Sequence, residues 1–259
     1  MSTASDIFSE PMDWLFWPPI LPRTDSAWLG HVPFAYWIVG VHKPRQIVEL
    51  GTLSGSSYAS FCDSAVRHGV TTKAFAVDTW EGDAHTGSYG AEIYKQLREF
   101  NALRFGGFST LLRKTFDEAL ADVEDGSVDL LHIDGLHTFD AVKHDFETWL
   151  PKLSDRAIVL FHDTAERKGD FGVWQLWDEL SKRYPSFAFD HWHGLGVLQV
   201  GSAASGKVLD LFALESGTEK QIVRDRFEAL GNNVRNIAYA ARMQAEAKKL
   251  SAMLNAARG

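Results

Sequence analysis

The sequence predicts an α/β protein in which a mostly parallel, seven-stranded sheet is covered by helices on both faces, a doubly wound arrangement. Short apolar runs with strand character recur along the middle of the chain, and segments with helical spacing separate them. Two glycines follow the first of these runs, as in a strand–turn–helix unit. The last two candidate strands are close enough in sequence to form one antiparallel hairpin.

The length of 259 residues fits one domain with appendages. We divide the chain into an N-terminal arm and helix that cover the site (1–44), the α/β domain (45–203) and a C-terminal helical extension (204–259). The formal net charge of −8 argues against general nucleic-acid binding.

The single cysteine, Cys62, excludes an intramolecular disulfide and a C-x-x-C metal site. No apolar run approaches the roughly 20 residues that a membrane-spanning helix needs. The first residues lack the basic start of a signal peptide, so the expected location is the cytoplasm.

The first strand covers Ile47 to Leu50. The residues of the turn after it argue against two common classes of ligand, dinucleotides and nucleoside triphosphates. A dinucleotide fingerprint needs a glycine where Leu53 stands, and a P-loop needs a lysine that is absent after Gly55. Glu49 repels phosphate but suits an ammonium or hydroxyl group. The turn therefore indicates a ligand with an amino acid end.

This turn resembles the first motif of the class I S-adenosylmethionine-dependent methyltransferases, [VIL]-[ED]-x-G-x-x-x-G-x-[ST], which here runs from Val48 to Ser57. The resemblance implies a Rossmann-like fold and S-adenosylmethionine as cofactor. It also implies that the cofactor is held by Glu49, Gly51, Thr52 and Ser57. An ordinary strand–turn–helix unit is the alternative.

The second strand, Lys73 to Asp78, ends in an acid at the position where nucleoside-binding α/β folds accept ribose hydroxyls. The alternative role of Asp78 is a turn cap with Thr79. The polar, glycine-rich segment 79–90 that follows is a candidate lid or acceptor loop.

The third strand, Ser109 to Lys114, leads into a capping sequence that runs from Thr115 to Glu118. The methyltransferase resemblance places Thr115 against the adenine ring.

Ligand-type residues end the next two strands, 128–133 and 157–162. Asp134 follows the first, and His162 and Asp163 end the second. Because parallel neighbours share one carboxyl edge, these side chains predict a divalent metal site with open positions.

Two histidines flank this site in the sequence. His137 follows Asp134 after a glycine, so both side chains can face one opening. We expect His132 to be buried and hydrogen-bonded instead of binding metal.

The stretch Leu131 to Thr164 is similar to the macrolide-sugar and rhamnosyl O-methyltransferases and the cephalosporin hydroxylase-like proteins. Its D-G-x-H and H-D-T sequences carry the similarity. The resemblance implies that Asp134, His162 and Asp163 bind metal, that His137 is the general base, and that Asp134 also takes part in catalysis and cofactor binding. Relatives have an acid where His162 stands, so imidazole weakens magnesium binding and shifts the preference towards manganese or iron.

The predicted function is metal-assisted methyl transfer from S-adenosylmethionine to a sugar hydroxyl in a polysaccharide, lipopolysaccharide or glycosylated natural product. Magnesium and manganese are the expected metals. Three aromatic residues suit sugar stacking, namely Trp80, Tyr89 and Trp174. Two alternatives stay open: an iron-dependent hydroxylase of the cephalosporin hydroxylase type, and a non-catalytic module that docks a glycosyltransferase.

A long helical pattern covers residues 219–256, with a break allowed at Gly231 to Asn233. Its apolar seam fits either packing on its own domain or a homodimer contact.

Overall fold

The computed structural model describes residues 2–9, 12–23, 25–85, 87–88, 90–204 and 206–256. A seven-stranded sheet forms its centre, in the order β5-β2-β1-β6-β7-β9-β8. In chain order the strands are β1 (Gln46–Leu50), β2 (Lys73–Asp78), β3 (Gly82–Asp83), β4 (Gly87–Ser88), β5 (Ser109–Arg113), β6 (Val128–Ile133), β7 (Leu153–His162), β8 (Ser186–Phe189) and β9 (Leu195–Gln199).

Helices cover both faces of this sheet and extend beyond it at the two ends of the chain. In chain order they are α1 (Ala4–Ile7), α2 (Val32–His42), α3 (Ser56–Arg67), α4 (Ala91–Arg104), α5 (Phe116–Ala119), α6 (Phe139–Trp149), α7 (Val173–Leu180), α8 (Val208–Phe212) and α9 (Gly217–Ala256). Short 3-10 turns cover Asp13–Phe16, Ala27–His31, Leu120–Asp122 and Leu150–Lys152.

The sheet confirms the predicted fold class. All neighbouring pairs from β5 to β7 are parallel, whereas β9 is antiparallel to both β7 and β8. The chain runs outward in one direction from β1 through β2 to β5, and in the other from β6. The order therefore reverses between β1 and β6, and ligands bind above such a reversal in open α/β sheets.

One predicted strand boundary shifts, since β7 begins at Leu153, earlier than the predicted 157. The segment 79–90, which we expected to be a lid or acceptor loop, contains the antiparallel pair of β3 and β4. A 3-10 turn over Ala27–His31 precedes α2, which begins at Val32.

Two apolar layers hold the sheet. On one face, the core includes fully buried Trp37 from α2, Phe61 from α3 and Phe227 from α9. On the other face, Phe146 and Trp149 from α6 pack with residues of β6 and β7. Burial of large aromatic side chains supplies much of the stabilisation of such layers.

Helix α9 passes Gly231 without a break. A Cβ at Gly231 would lie 2.0 Å from the carbonyl oxygen of Gly30, so the glycine permits close approach of the helix to the 27–31 turn. The first half of α9 packs on the domain, with Val234 5% exposed, whereas Leu250 further along is 61% exposed. Homodimerisation through this exposed half stays a prediction, which sedimentation analysis would test.

Asp129 forms a polar anchor at the edge of the sheet opposite the glycine turn. Its carboxylate is fully buried and accepts hydrogen bonds from Arg45 (Nη2 at 2.9 Å) and Ser154 (Oγ at 2.6 Å). Burial alone would raise the pKa of Asp129, but these hydrogen bonds lower it well below its usual value. Within the part of the chain that the structure describes, no helix is long and apolar enough to cross a membrane.

Candidate active site

The glycine turn lies where the sheet order reverses. The amide of Gly51 donates to the carbonyl of Val77 (2.9 Å), and the amide of Asp134 donates to the carbonyl of Leu50 (2.8 Å). Gly51 has a φ of +87°, and a Cβ there would lie 2.1 Å from the carbonyl oxygen of Asp134. Only glycine therefore lets the turns after β1 and β6 approach this closely.

Asp78 holds the glycine turn in place. Its Oδ2 accepts hydrogen bonds from the amides of Thr52 (3.0 Å) and Leu53 (2.8 Å), and its Oδ1 accepts one from Trp80 (2.6 Å). Burial raises the pKa of Asp78, and these backbone bonds oppose the rise. A carboxylate has about four acceptor positions, so one remains on the cavity side for a ligand hydroxyl.

Glu49 is fully buried behind this turn and does not line the cavity. His132 is equally buried, as expected, and its Nδ1 donates to Oε2 of Glu49 (2.8 Å). Its Nε2 accepts from the indole of Trp28 (3.2 Å), which fixes the histidine tautomer because an indole can only donate. Burial raises the pKa of Glu49, and the hydrogen bond from His132 opposes this.

Three buried oxygens around the turn have no hydrogen-bond partner among the described residues, namely Oε1 of Glu49, Oγ1 of Thr52 and Oγ of Ser56. Buried polar atoms are normally satisfied, so such a group marks a place where a polar ligand would bind.

A cavity of about 280 Å³ opens above the turn. Its lining brings together the sequence-predicted residues Gly51, Thr52, Ser57, Asp78, Thr115, Asp134 and His137. Thr115 also confirms the predicted cap, since its hydroxyl accepts from the amide of Glu118 (3.3 Å) at the start of α5.

Asp134, His162 and Asp163 converge at one end of the cavity. Each offers one ligand atom, and these atoms lie within 4.8 Å of one another. Nδ1 of His162 is 3.1 Å from Oδ1 of Asp134 and 3.4 Å from Oδ2 of Asp163, while its Nε2 has no partner among the described residues. Asp163 has a φ of +61°, a strained conformation that aspartate tolerates and that occurs often at functional sites.

His137 joins this cluster through its Nε2, which lies 2.9 Å from Oδ2 of Asp163 and 3.6 Å from Oδ1 of Asp134. The segment that carries it is fixed by a hydrogen bond from the amide of Gly172 to the carbonyl of His137 (2.7 Å). Its ring stacks on Phe171, with centroids 4.7 Å apart and planes 4° apart.

The cluster shifts the pKa of each member. Burial alone would lower the pKa of His137 and His162, but the neighbouring carboxylates raise these to about 9 and about 10. Burial alone would raise the pKa of Asp163, but hydrogen bonds from the two histidines lower it to about 2. The pKa of Asp134 is lowered well below its usual value for the same reason, and the cluster therefore stays charged near neutral pH.

Comparison with known proteins bears on this arrangement. Residues 48–164, which include the glycine turn and the H-D-T strand end, match the family described as a methyltransferase domain. The match assigns this segment, which is less than half of the chain, to the methyltransferase-domain family. An uncharacterized protein of Sinorhizobium fredii, y4gI, is 51% identical over 195 residues, which are 75% of this chain. The match covers 21% of that relative, so the chain spans about a fifth of its length.

Solved structures share the fold of the methyltransferase domain. A Podospora anserina methyltransferase, PaMTH1, solved with S-adenosylhomocysteine, has a TM-score of 0.50 at 18% identity, over 75% of this chain and 87% of that one. A candidate caffeoyl-CoA O-methyltransferase of Staphylococcus aureus has a TM-score of 0.50 at 15% identity, over 69% of this chain and 86% of that one.

A second cavity, of about 570 Å³, adjoins the first. Trp28, Asp134 and His137 line both cavities, so the charged cluster stands at their boundary. The second cavity is bounded by Arg23 and Asp25 from the N-terminal arm. It is therefore large enough to hold a second molecule beside one bound in the first cavity.

Two of the three aromatic residues expected to stack on a sugar lie elsewhere. Trp80 is 2% exposed, and its indole donates to the carbonyl of Leu53 (2.8 Å), so its ring belongs to the interior. Trp174 packs under the guanidinium of Arg167, 4.6 Å from its ring centroid, and does not line the second cavity. Tyr89 lies outside the described residues.

Two residues that the sequence did not single out reach the catalytic cluster. His85, from the polar loop after β2, contacts His137, and Asp170, from the charged loop after β7, contacts His85. The sequence predicted the loop after β2 to be a lid or acceptor loop, but the spacing of His85, His137 and Asp170 along the chain gives no sign of their contact.

Proposed function

We propose that the chain transfers the methyl group of S-adenosylmethionine to a hydroxyl group of a sugar, with help from a divalent metal. The supporting observation is the position of His137. Its Nε2 faces the charged cluster at the boundary between the cofactor cavity and the adjoining cavity. A base there can reach an acceptor hydroxyl that is directed at the cofactor.

The cofactor fits the residues around the glycine turn. The unpaired Oγ1 of Thr52 lines the cavity and suits a polar group of its amino acid end, and the carboxylate of Glu49 behind the turn places a negative charge near the ammonium without contact. The remaining acceptor position on Asp78 suits a ribose hydroxyl, and Thr115 lines the far side of the cavity, where the adenine would lie.

A divalent cation fits the group of Asp134, His162 and Asp163. Octahedral bonds of about 2.1 Å hold neighbouring ligands about 3 Å apart. The Nδ1 of His162 lies at comparable distances from the two carboxylates, 3.1 and 3.4 Å. When bound, such a cation lowers the pKa of an acceptor hydroxyl and orients it.

The side chains supply the remainder of the proposed chemistry. The acceptor oxygen forms a bond to the methyl carbon, the carbon–sulfur bond breaks, and the sulfur keeps the electron pair. His137, whose pKa a cation on the neighbouring carboxylates would lower, takes the hydroxyl proton on Nε2. The walls of the two cavities hold oxygen, carbon and sulfur in line, which removes much of the entropic cost of the reaction.

The lining of the second cavity supports a hydroxyl-rich acceptor. Arg23 and Asp25 form an ion pair in the lining (2.6 Å), and Nδ1 of His193 lies 3.0 Å from Oε2 of Glu166, which also lines the cavity. Charged and hydrogen-bonding side chains on both walls suit a sugar better than an apolar ring.

The hydroxylase alternative is less well supported by the ligand set. Non-haem iron oxygenases commonly use two histidines and one carboxylate. Here two carboxylates converge with one histidine. A docking module without activity would not require a base that faces both cavities.

Calorimetric titration tests the proposal. S-adenosylmethionine and S-adenosylhomocysteine are titrated into metal-stripped protein, then into protein with magnesium or manganese. Cofactor binding together with a metal signal that Asp163→Ala removes supports the proposal and leads to a sugar screen that follows S-adenosylhomocysteine release. Absence of cofactor binding under all conditions would overturn it.

A further inference from the structure

A second histidine stands directly behind the proposed base. Nδ1 of His85 lies 3.1 Å from Nδ1 of His137, and Nε2 of His85 lies 2.8 Å from Oδ1 of Asp170. The contacts form one chain from the buried cluster to the surface, since the side chain of His85 is 11% exposed and that of Asp170 is 73% exposed.

The two histidine rings in this series of contacts are held nearly parallel by a third ring. Phe171 stacks on both histidines, with centroid distances of 4.7 Å to His137 and 4.6 Å to His85. The two imidazole planes are 18° apart, and their Nδ1 atoms lie 3.1 Å from each other. Such an arrangement suits a hydrogen bond between the rings.

The donor and acceptor of each hydrogen bond can be assigned by starting at Asp170, the outermost residue of the chain of contacts. A carboxylate can only accept, so Nε2 of His85 carries the proton that is donated to Asp170. A neutral His85 then has a bare Nδ1, which must accept. Nδ1 of His137 therefore carries a proton, and in the neutral ring Nε2 is free.

We propose that His85 and Asp170 are positioning residues that hold His137 in the tautomer with a free Nε2. This inference rests on the proposed function, in which Nε2 of His137 takes the acceptor proton.

Two neighbours of His137 favour a proton on different nitrogens of its ring. Oδ2 of Asp163 lies 2.9 Å from Nε2 of His137 and would by itself favour a proton on that nitrogen, which would leave no base facing the acceptor. His85 and Asp170 oppose this preference from the other side of the ring, because His85 accepts the hydrogen bond from Nδ1 of His137. A partner of this kind commonly fixes the tautomer of a functional histidine.

The direct test is the tautomer of His85. The full chain is labelled with ¹⁵N-histidine, and long-range ¹H–¹⁵N spectra are recorded at pH 8, with assignments from His85→Ala and His137→Ala. We expect His85 to be protonated on Nε2 with a bare, accepting Nδ1. A proton on Nδ1 of His85 would reverse the chain and overturn the inference. This measurement needs neither cofactor nor acceptor, so a wrong proposed function can neither produce nor hide the result.

Kinetics give a second readout once an acceptor is known. His85→Ala is expected to lower kcat by roughly 10- to 100-fold, the usual cost of losing an outer partner, with an unchanged KM for S-adenosylmethionine. Free imidazole should restore part of the rate. The matched control is His144→Ala, which removes an exposed histidine paired with Asp117 at 2.9 Å and should keep full activity. A full rate in His85→Ala would contradict the inference, and so would a reduced rate that imidazole cannot restore.

Discussion

Nε2 of His137 lies 2.9 Å from Oδ2 of Asp163, although the two residues follow different strands of the sheet. β6 and β7 are parallel neighbours, with Ile133 opposite Phe161, so the turns that follow them emerge side by side. The backbone of Asp163 adopts a φ of +61°, which directs its carboxylate back towards the histidine. Four predictions follow from this site and from the fold that supports it.

Replacing Asp163 by alanine should weaken manganese binding by more than the roughly 10- to 100-fold typical of an outer-sphere partner, because it removes one of three converging ligands. Isothermal titration with manganese measures this. Asp178→Ala, which removes an exposed carboxylate paired with Lys182, is the control and should bind manganese as the natural chain does. Equal manganese affinities in the two variants would show that Asp163 is not a metal ligand.

Replacing Glu49 by glutamine should weaken S-adenosylmethionine binding by roughly 10-fold, because it removes a buried negative charge behind the turn that attracts the ammonium of the cofactor without contact. Glutamine keeps the volume of this fully buried residue but removes its charge. Adenosine, which lacks the amino acid end, is the control ligand and should bind both proteins equally. A parallel loss for adenosine would mean that the substitution disturbs the cavity as a whole.

Replacing Gly51 by alanine should lower the free energy of unfolding by more than the same change at Gly69. Both glycines have positive φ, +87° and +63°, which alone costs a residue with a Cβ about 1–2 kcal/mol. Only at Gly51 does the new Cβ meet backbone, 2.1 Å from the carbonyl oxygen of Asp134. Urea unfolding of the two variants measures the difference, and equal losses would show that the turns can separate without cost.

Acidification should destabilise the fold in part through Asp129. Its folded-state pKa lies well below its usual value, so its stabilisation is present above the unfolded pKa of about 3.9 and is lost as pH falls further. Urea midpoints at pH 7 and pH 3 measure this loss. Asp129→Asn should be less stable at pH 7 and should lose less stability between the two values. An identical pH dependence in both proteins would contradict the assignment.

Local patterns in the sequence were sufficient to predict most elements. β2 and β6 have the predicted bounds, because each is an apolar run that ends at an acid. The start of β7 at Leu153 differs from the predicted 157 because packing, and not local propensity, decides where this strand begins. Gly231 allowed a break in α9, but the long-range approach of Gly30 explains why a glycine stands there in a continuous helix.

The sequence by itself determined the edge of the sheet at which the site lies, since Gly51, Asp78, Asp134 and Asp163 all follow strands. Parallel strands bring their carboxyl ends together, so this much depends only on order along the chain. Tertiary structure alone decided which side chains face the cavities. It placed Glu49 behind the turn and Trp80 in the interior, and it brought His85 to His137. The physical reason is that loops carry no periodic pattern, and their side-chain directions are fixed by contacts between residues distant in sequence.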